Sequence, residues 1–251
     1  MSEHPGKLDS FAVRRPILVP VGVALVAFVL LFSLLFRHHI EAREAEHTHT
    51  IIRHANAVLE ELLQNNLRQL QWFSQHASVN PEIVAAMKNG QRDALLALTE
   101  KRLSSLRQSF GISHWYFITP DQHVLLRVHD PEQAGDRIER ETMRRAVRSD
   151  LPASGLELGN TATYTLRYVM PWIDDGRLLG YIEMGMEVAW FSQSIEKLLD
   201  VRVMTAIDKR KTSATAFSNG KRALGLSGNW QDFPDFALLD QSLPTVPAVL
   251  V

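Results

Sequence analysis

From Pro16 to Phe36 the chain carries no charged residue, and the run from Ile17-Leu18-Val19 to Leu34-Leu35-Phe36 is nearly all apolar, on every face of a helix. About 21 residues at 1.5 Å rise give roughly 31 Å, the thickness of a bilayer's hydrocarbon core, so residues 16–36 are predicted to span a membrane. A cleaved signal would need a shorter apolar region and a small-x-small site. The run instead ends Leu-Leu-Phe-Arg, which predicts an uncleaved anchor. Lys7, Arg14 and Arg15 precede it and Arg37 and Arg43 follow. That bias puts residues 1–15 in the cytoplasm and residues 37–251 on the periplasmic side of an inner membrane.

Beyond Phe36 there is no Pro or Gly until Pro81, and Leu, Ala, Glu, Gln and Arg dominate, so a long stalk helix continues from the span. Ile52, Ala55, Leu59, Leu63, Leu70 and Phe73 recur at spacings of three, four or seven, with Asn66 on the same stripe. Two readings stay open: the seam of a parallel homodimer whose register Asn66 sets, or packing against the protein's own domain. Asn80-Pro81 breaks the helix, and a second runs from Pro81 to Gln108 before Gly111, making residues 37–110 stalk and helical hairpin.

The period then changes to two. Strands are predicted at His114–Ile118 and His123–Val128 around the turn residues Pro120 and Asp121. A polar helix follows at Glu139–Arg148. Further strands fall at Gly155–Leu158, Tyr164–Met170 and Leu178–Met186, parted by Gly159-Asn160 and Asp174-Asp175-Gly176. Two strands, a helical crossing and a three-stranded meander make an α+β module over residues 111–195, a five-stranded antiparallel sheet flanked by helices. At residues 196–251 the pattern restarts with a strand at Val203–Ile207 and a charged turn at Asp208–Lys211, the start of a second, smaller α/β module that the sequence leaves incomplete.

The formal net charge of −1, with no basic block, gives no footprint for nucleic acid. Cysteine is absent, which excludes disulfides, thiolate catalysis, cysteine zinc sites and c-type haem attachment. No G-x-S-x-G, H-E-x-x-H, phosphate loop or dinucleotide fingerprint is present, so neither catalysis nor a cofactor or metal is expected. His38, His39, His47, His49 and His54 cluster on the stalk, where a solvated face is the expected reading and a pH-sensitive stalk the sharper one.

Between Trp115 and Met186 the chain reads Trp-Tyr-Phe-Ile-Thr-Pro-Asp, then Leu-Leu-Arg-Val-His-Asp-Pro-Glu-Gln-Ala-Gly-Asp, Ser-Gly-Leu-Glu-Leu-Gly, Leu-Arg-Tyr-Val-Met-Pro-Trp and Leu-Leu-Gly-Tyr-Ile-Glu-Met-Gly. This resembles a double Cache domain, the PAS-like extracytoplasmic sensor of bacterial chemoreceptors, sensor histidine kinases and diguanylate cyclases, over roughly residues 40–251. The resemblance implies a small-molecule ligand and a signalling role. Such receptors cross the membrane again, whereas the final Leu-Pro-Thr-Val-Pro-Ala-Val-Leu-Val is too short and Pro-broken to span. A fragment of a longer receptor, or action through a partner, is therefore expected. A membrane-tethered scaffold without a ligand is the rival reading.

Within the motif, Arg127 and His129 are two apart and share a strand face, and Arg167 comes from a strand of the same sheet. Two guanidiniums there could clamp a carboxylate. The alternative is structural ion pairing with Asp136, Glu157 or Glu183. Tyr164 and Trp172, near strand ends, are taken as pocket walls, whereas Trp115 and Phe117 are assigned to the core. Asp136 could cap a helix, contact the ligand, or do both.

Overall fold

The computed structural model describes residues 10–159, 162–224 and 228–241, without the side chains of 10–19, 38–51, 191–193, 199, 223–224 and 239–241. The chain divides into two units, residues 1–56 and 57–251. Helix α1 runs Ser10–Ser78. In the first unit, Pro20–Arg37 has a mean hydropathy of 2.2 and none of it is buried by the protein. A core helix of that composition would be covered, so this stretch meets the length and polarity of a membrane span by itself. Four of the stalk histidines, His38, His39, His47 and His49, lie outside the described side chains, and His54 is exposed.

In the second unit the end of α1 is followed by α2 (Pro81–Lys88) and α3 (Arg92–Phe110). The single helix expected from Pro81 to Gln108 is thus two. Gly90, in the left-handed region just past the Asn89 cap, ends α2, because a glycine there costs no Cβ clash. Asn80 caps α2 by accepting from the backbone N–H of Glu82 and Ile83 at 3.0 and 3.2 Å.

Five strands follow, β1 (Ile112–Ile118), β2 (Val124–Arg127), β3 (Ala153–Leu158), β4 (Tyr164–Asp174) and β5 (Arg177–Glu187), with α4 (Glu141–Ser149) between β2 and β3. They form one antiparallel sheet in the order β2-β1-β5-β4-β3. Alternation divides its two faces. Trp115, Phe117, Leu126, Leu166, Tyr168, Met170, Trp172, Ile182, Met184 and Met186 join Leu70, Ile83, Leu95 and Leu103 in the main core under α1, α2 and α3. Leu59, Leu63 and Phe73 pack against that core and Asn66 is buried, so this part of the stalk stripe serves the protein's own domain. Ile52 is half exposed.

The opposite face is split. Its far half, Ile118, Val124, Val169 and Tyr181, packs under Met143 and Ala146 of α4. Its near half is polar. After β5 comes a helix the sequence reading missed, α5 (Val188–Leu199), then β6 (Met204–Asp208), a short turn of 3-10 helix at Lys209–Lys211, α6 (Ala214–Leu224) and β7 (Phe236–Gln241). β6 and β7 pair antiparallel over Ile207, Phe217 and Ala237, a small core of their own. The expected strand and charged turn are both there, with Asp208 capping the turn through the N–H of Arg210.

Candidate functional site

The polar half of the sheet lies where four strands set charged or hydrogen-bonding residues on one face. β1 places His114 and Tyr116 there, β5 Glu183 and Glu187, β4 Thr165 and Arg167, and β2 with its extension Arg127 and His129. Each pair is separated by two or four residues, the period that keeps side chains on one side of a strand. Gly185 stands opposite both His114 and Arg167. A Cβ at that position would press on Thr165 and His114, so its absence leaves room for the surrounding side chains.

Of these, His114, Tyr116, Arg127, His129, Arg167 and Glu187 line a cavity of about 700 Å³, closed at its edges by Arg107 and Gly111 from the end of α3, Arg140 before α4, and Ala189 and Trp190 of α5. The indole of Trp190 lies flat against Gly111, whose left-handed backbone ends α3.

Most of the charge here is already paired. Arg127 donates to both oxygens of Asp136 at 2.7 and 2.6 Å and to the carbonyl of Gln133 at 2.8 Å. Glu183, fully buried, accepts from Arg140 at 2.5 and 2.6 Å and from Arg167 at 2.6 Å. Burial opposes its ionisation, but the two guanidiniums together outweigh that and hold the carboxyl below its usual range. The Nε atoms of Arg140 and Arg167 come within 3.7 and 3.9 Å of Glu157 yet make no hydrogen bond. Glu157 instead accepts from the backbone N–H and hydroxyl of Thr142 at 2.7 and 2.9 Å, tying β3 to the start of α4. Tyr116 sits between Arg127 and Arg140, each guanidinium 5.4 Å from its ring centre.

Three further groups have shifted protonation. Burial first, then Arg167, His129 and the neighbouring arginines, pushes His114 well below the usual imidazole range. Burial, with Arg167, Arg127 and Arg107, pushes His129 down to about 4. Glu187 is pushed up by burial, which the hydroxyls of Thr163 and Thr165 only partly offset. His114 Nε2 and Glu187 stand 3.6 Å apart, but with the imidazole neutral that approach is a polar contact and not an ion pair.

Of the six residues singled out from the sequence, Arg127, His129 and Arg167 line the cavity together. Asp136 stands behind Arg127 as its partner and is half exposed, so it positions the guanidinium. Trp172 requires correction. It lies five residues from Arg167, an odd spacing that sends it to the other face, where it is 1% exposed in the main core and donates to the carbonyl of Ser78 at 3.0 Å. Tyr164 is also corrected: three residues from Arg167, it packs instead beside the small core of Ile207 and Phe217. The sequence reading missed His114, Tyr116, Glu187, Arg140, Arg107 and Trp190. The first three carried a legible signal, the period-two alternation with Trp115 and with Met184 and Met186. Arg107, Arg140 and Trp190 arrive from other elements and carried none.

A five-stranded antiparallel sheet with three helices on one face and, on the other, one helix beside a polar cavity is the architecture of a PAS-like sensory domain. The chain belongs to the family described as the double sensory domain of two-component sensor kinases, whose model matches residues 48–229. A search of curated proteins finds no match. Among solved structures, the chain is similar to the domain of a sensory box/GGDEF family protein from Vibrio parahaemolyticus at 16% identity and a TM-score of 0.48, over 62% of this chain and 66% of that one. It is similar to the sensory domain of the Campylobacter jejuni chemoreceptor Tlp3 with isoleucine bound at 12% identity and 0.45, over 64% and 65%. It is also similar to the V. cholerae histidine kinase DctB sensor domain at 15% and 0.44, over 72% and 80%. The chain thus spans just under two thirds of the first two.

Proposed function

We propose that the sheet cavity is the ligand site of an extracytoplasmic sensor, that its ligand is a small anionic metabolite, and that residues 16–36 anchor the sensor in the inner membrane with residues 1–15 in the cytoplasm. The observation that carries the anionic reading is Arg107. Arg127, Arg140 and Arg167 each already hold a carboxylate, whereas Arg107 lines the same cavity and, among the described residues, has no carboxylate within ion-pair distance, feeling Glu187 only at longer range and donating to the carbonyl of Ser113 at 3.1 Å. The ligand's free charge therefore faces Arg107, and the clamp expected from Arg127 and Arg167 becomes the rigid, neutralised floor beneath it. No catalysis is assigned to these groups.

A ligand acts as a signal only through contacts that differ between two states. Trp190 and Ala189 border the cavity and begin α5, while α1 contributes none of its lining residues. Ligand closure is thus read first by α5, and the stalk helix receives the change through the sheet that separates it from the cavity. The test is a thermal-shift screen of small carboxylates on the full chain in nanodiscs, followed by Arg107→Gln. A true ligand stabilises by mass action. Loss of one charge-assisted contact should weaken it by about tenfold or more while leaving the ligand-free melting temperature unchanged. Wild-type affinity in Arg107→Gln would sink the anionic reading, and a screen in which no carboxylate stabilises the protein would sink the ligand reading for that class.

A further inference from the structure

Glu187 ends β5 with its side chain lining the sensory cavity, and it is 7% exposed. Among the described residues no Lys or Arg stands within ion-pair distance of it. Its carboxyl accepts from the hydroxyls of Thr163 and Thr165 at 3.2 and 3.3 Å, and His114 Nε2, on a neutral imidazole, is 3.6 Å away. Glu187 also precedes α5, yet its side chain makes no cap hydrogen bond to that helix. Its own strand supplies the contrast: Glu183, also buried, holds two guanidiniums.

The groups around Glu187 come from every element that borders the cavity. β1 brings His114 and Tyr116, β2 and its extension Arg127, His129 and Asp130, the end of α3 Arg107, the segment before α4 Arg140, β4 Arg167 and β5 Glu183. β3 adds Glu157 beside Arg140 and Arg167. The guanidiniums stay charged. His114 is pushed well below the imidazole range and His129 down to about 4, so neither gains a proton near neutrality. Glu183 is held ionised by its arginines, Glu157 is bound by Thr142, and Asp130 is partly exposed. Glu187 is thus the buried carboxyl of the cavity that lacks a cation, and burial moves its protonation towards neutral pH.

We propose that the sensor takes up a proton together with its ligand, at Glu187. This rests on the anionic ligand site described above. An anion facing Arg107 brings a second negative charge into the cavity that holds the Glu187 carboxylate, and two like charges in a buried site favour protonation of one of them. The proton replaces the cation that the fold withholds. Protonated, the carboxyl becomes a donor as well as an acceptor, so the ligand presents it with an oxygen and not an ammonium. The ligand class is therefore a small oxyacid, and the domain reads that acid and the surrounding acidity as one signal.

The probe is radiolabelled glycolate, a carboxylate that stays ionised across the window tested, in equilibrium dialysis against the full chain in nanodiscs. From about pH 8 to about pH 5.5 its Kd should fall by about tenfold or more, since one linked proton changes affinity by up to about tenfold per pH unit. Glu187→Gln, which mimics the protonated carboxyl, should bind at every pH with the affinity that the wild type reaches in acid. Glycine, with an ammonium in place of the hydroxyl, should bind more weakly than glycolate at the acid end. In weak buffer the wild-type chain should take up to about one proton per glycolate bound, a measurement that needs no variant to fold. A glycolate Kd that is flat or falls as pH rises overturns the proton linkage and leaves the anionic site standing. A pH dependence that survives in Glu187→Gln, glycine binding tighter than glycolate, or proton release on binding overturns it as well. Absence of saturable glycolate binding at every pH removes the anionic site and the linkage together.

Discussion

At the scale of single residues, the cavity is governed by how its buried charges are matched. Glu183 accepts from two guanidiniums while fully buried. Replacing it by Gln would strand Arg140 and Arg167 with only the distant Glu157, and breaking a buried ion pair from one side costs about 3–5 kcal/mol. That is comparable to the whole stability of a marginal domain, so Glu183→Gln should melt far below wild type or fail to accumulate. A wild-type melting temperature would show that the arginines are solvated in a way the structure does not have. His129 makes a second prediction. Its imidazole is neutral in the fold down to about 4, whereas in the unfolded chain it takes a proton near its ordinary value, so stability is lost as pH falls from 6.5 towards 4. The loss is on the order of 3 kcal/mol. Glu187 works the other way, because a carboxyl raised in the fold stabilises as pH falls through its raised value. Thermal melts at neutral and acidic pH should therefore show a shallower decline for His129→Gln than for wild type, and equal slopes would remove His129 from the account.

At the scale of elements, the end of α3 and the start of α5 meet at one point. Gly111 closes α3 in the left-handed region, and a Cβ there would collide with the ring of Trp190. Gly111→Ala should cost about 1–2 kcal/mol for the backbone alone and also push Trp190 off the rim of the cavity. Its fluorescence, taken as the difference between each protein and its Trp190→Phe counterpart, should move to longer wavelength. An unshifted Trp190 spectrum would mean the indole is not held by Gly111. The same junction explains an error of reading. Val188–Leu199 is a helix, but its first turn follows a strand with neither Pro nor Gly between and without a side-chain cap at Glu187. No local punctuation marks the change.

At the scale of the whole molecule, the cysteine-free sequence makes topology and association directly measurable. Lys101 on α3 is exposed, and the proposed orientation expects a Lys101→Cys chain to react with a membrane-impermeant maleimide added to cells whose outer membrane alone is permeable. Protection until the inner membrane is lysed would reverse the orientation. For the stalk, a homodimer seam has to use what the domain leaves free. Ile52→Cys, half exposed, should form interchain disulfides on oxidation, whereas Leu70→Cys, fully buried under its own sheet, should not. Equal crosslinking at both would contradict the packing of α1 on its own core.

Local physics alone determined the apolar span, the stalk helix, the five strands and their alternation. Backbone period and side-chain transfer are properties of a short stretch of chain, so Ile17 to Phe36 announces a bilayer and Trp115 with Phe117 announces a core without reference to anything distant. The family could be read for the same reason, from runs such as Leu-Leu-Arg-Val-His and Gly-Tyr-Ile-Glu. Faces were legible too, and strict parity would have kept Trp172 away from Arg167. Tertiary structure decided the partners. Whether Arg127 binds a ligand or Asp136, and whether Arg167 is a clamp or the second donor to Glu183, depends on which carboxylates the fold brings within about 3 Å. Arg107, Arg140 and Trp190 come to the cavity from three other elements, and only the docking of those elements around the sheet makes them neighbours.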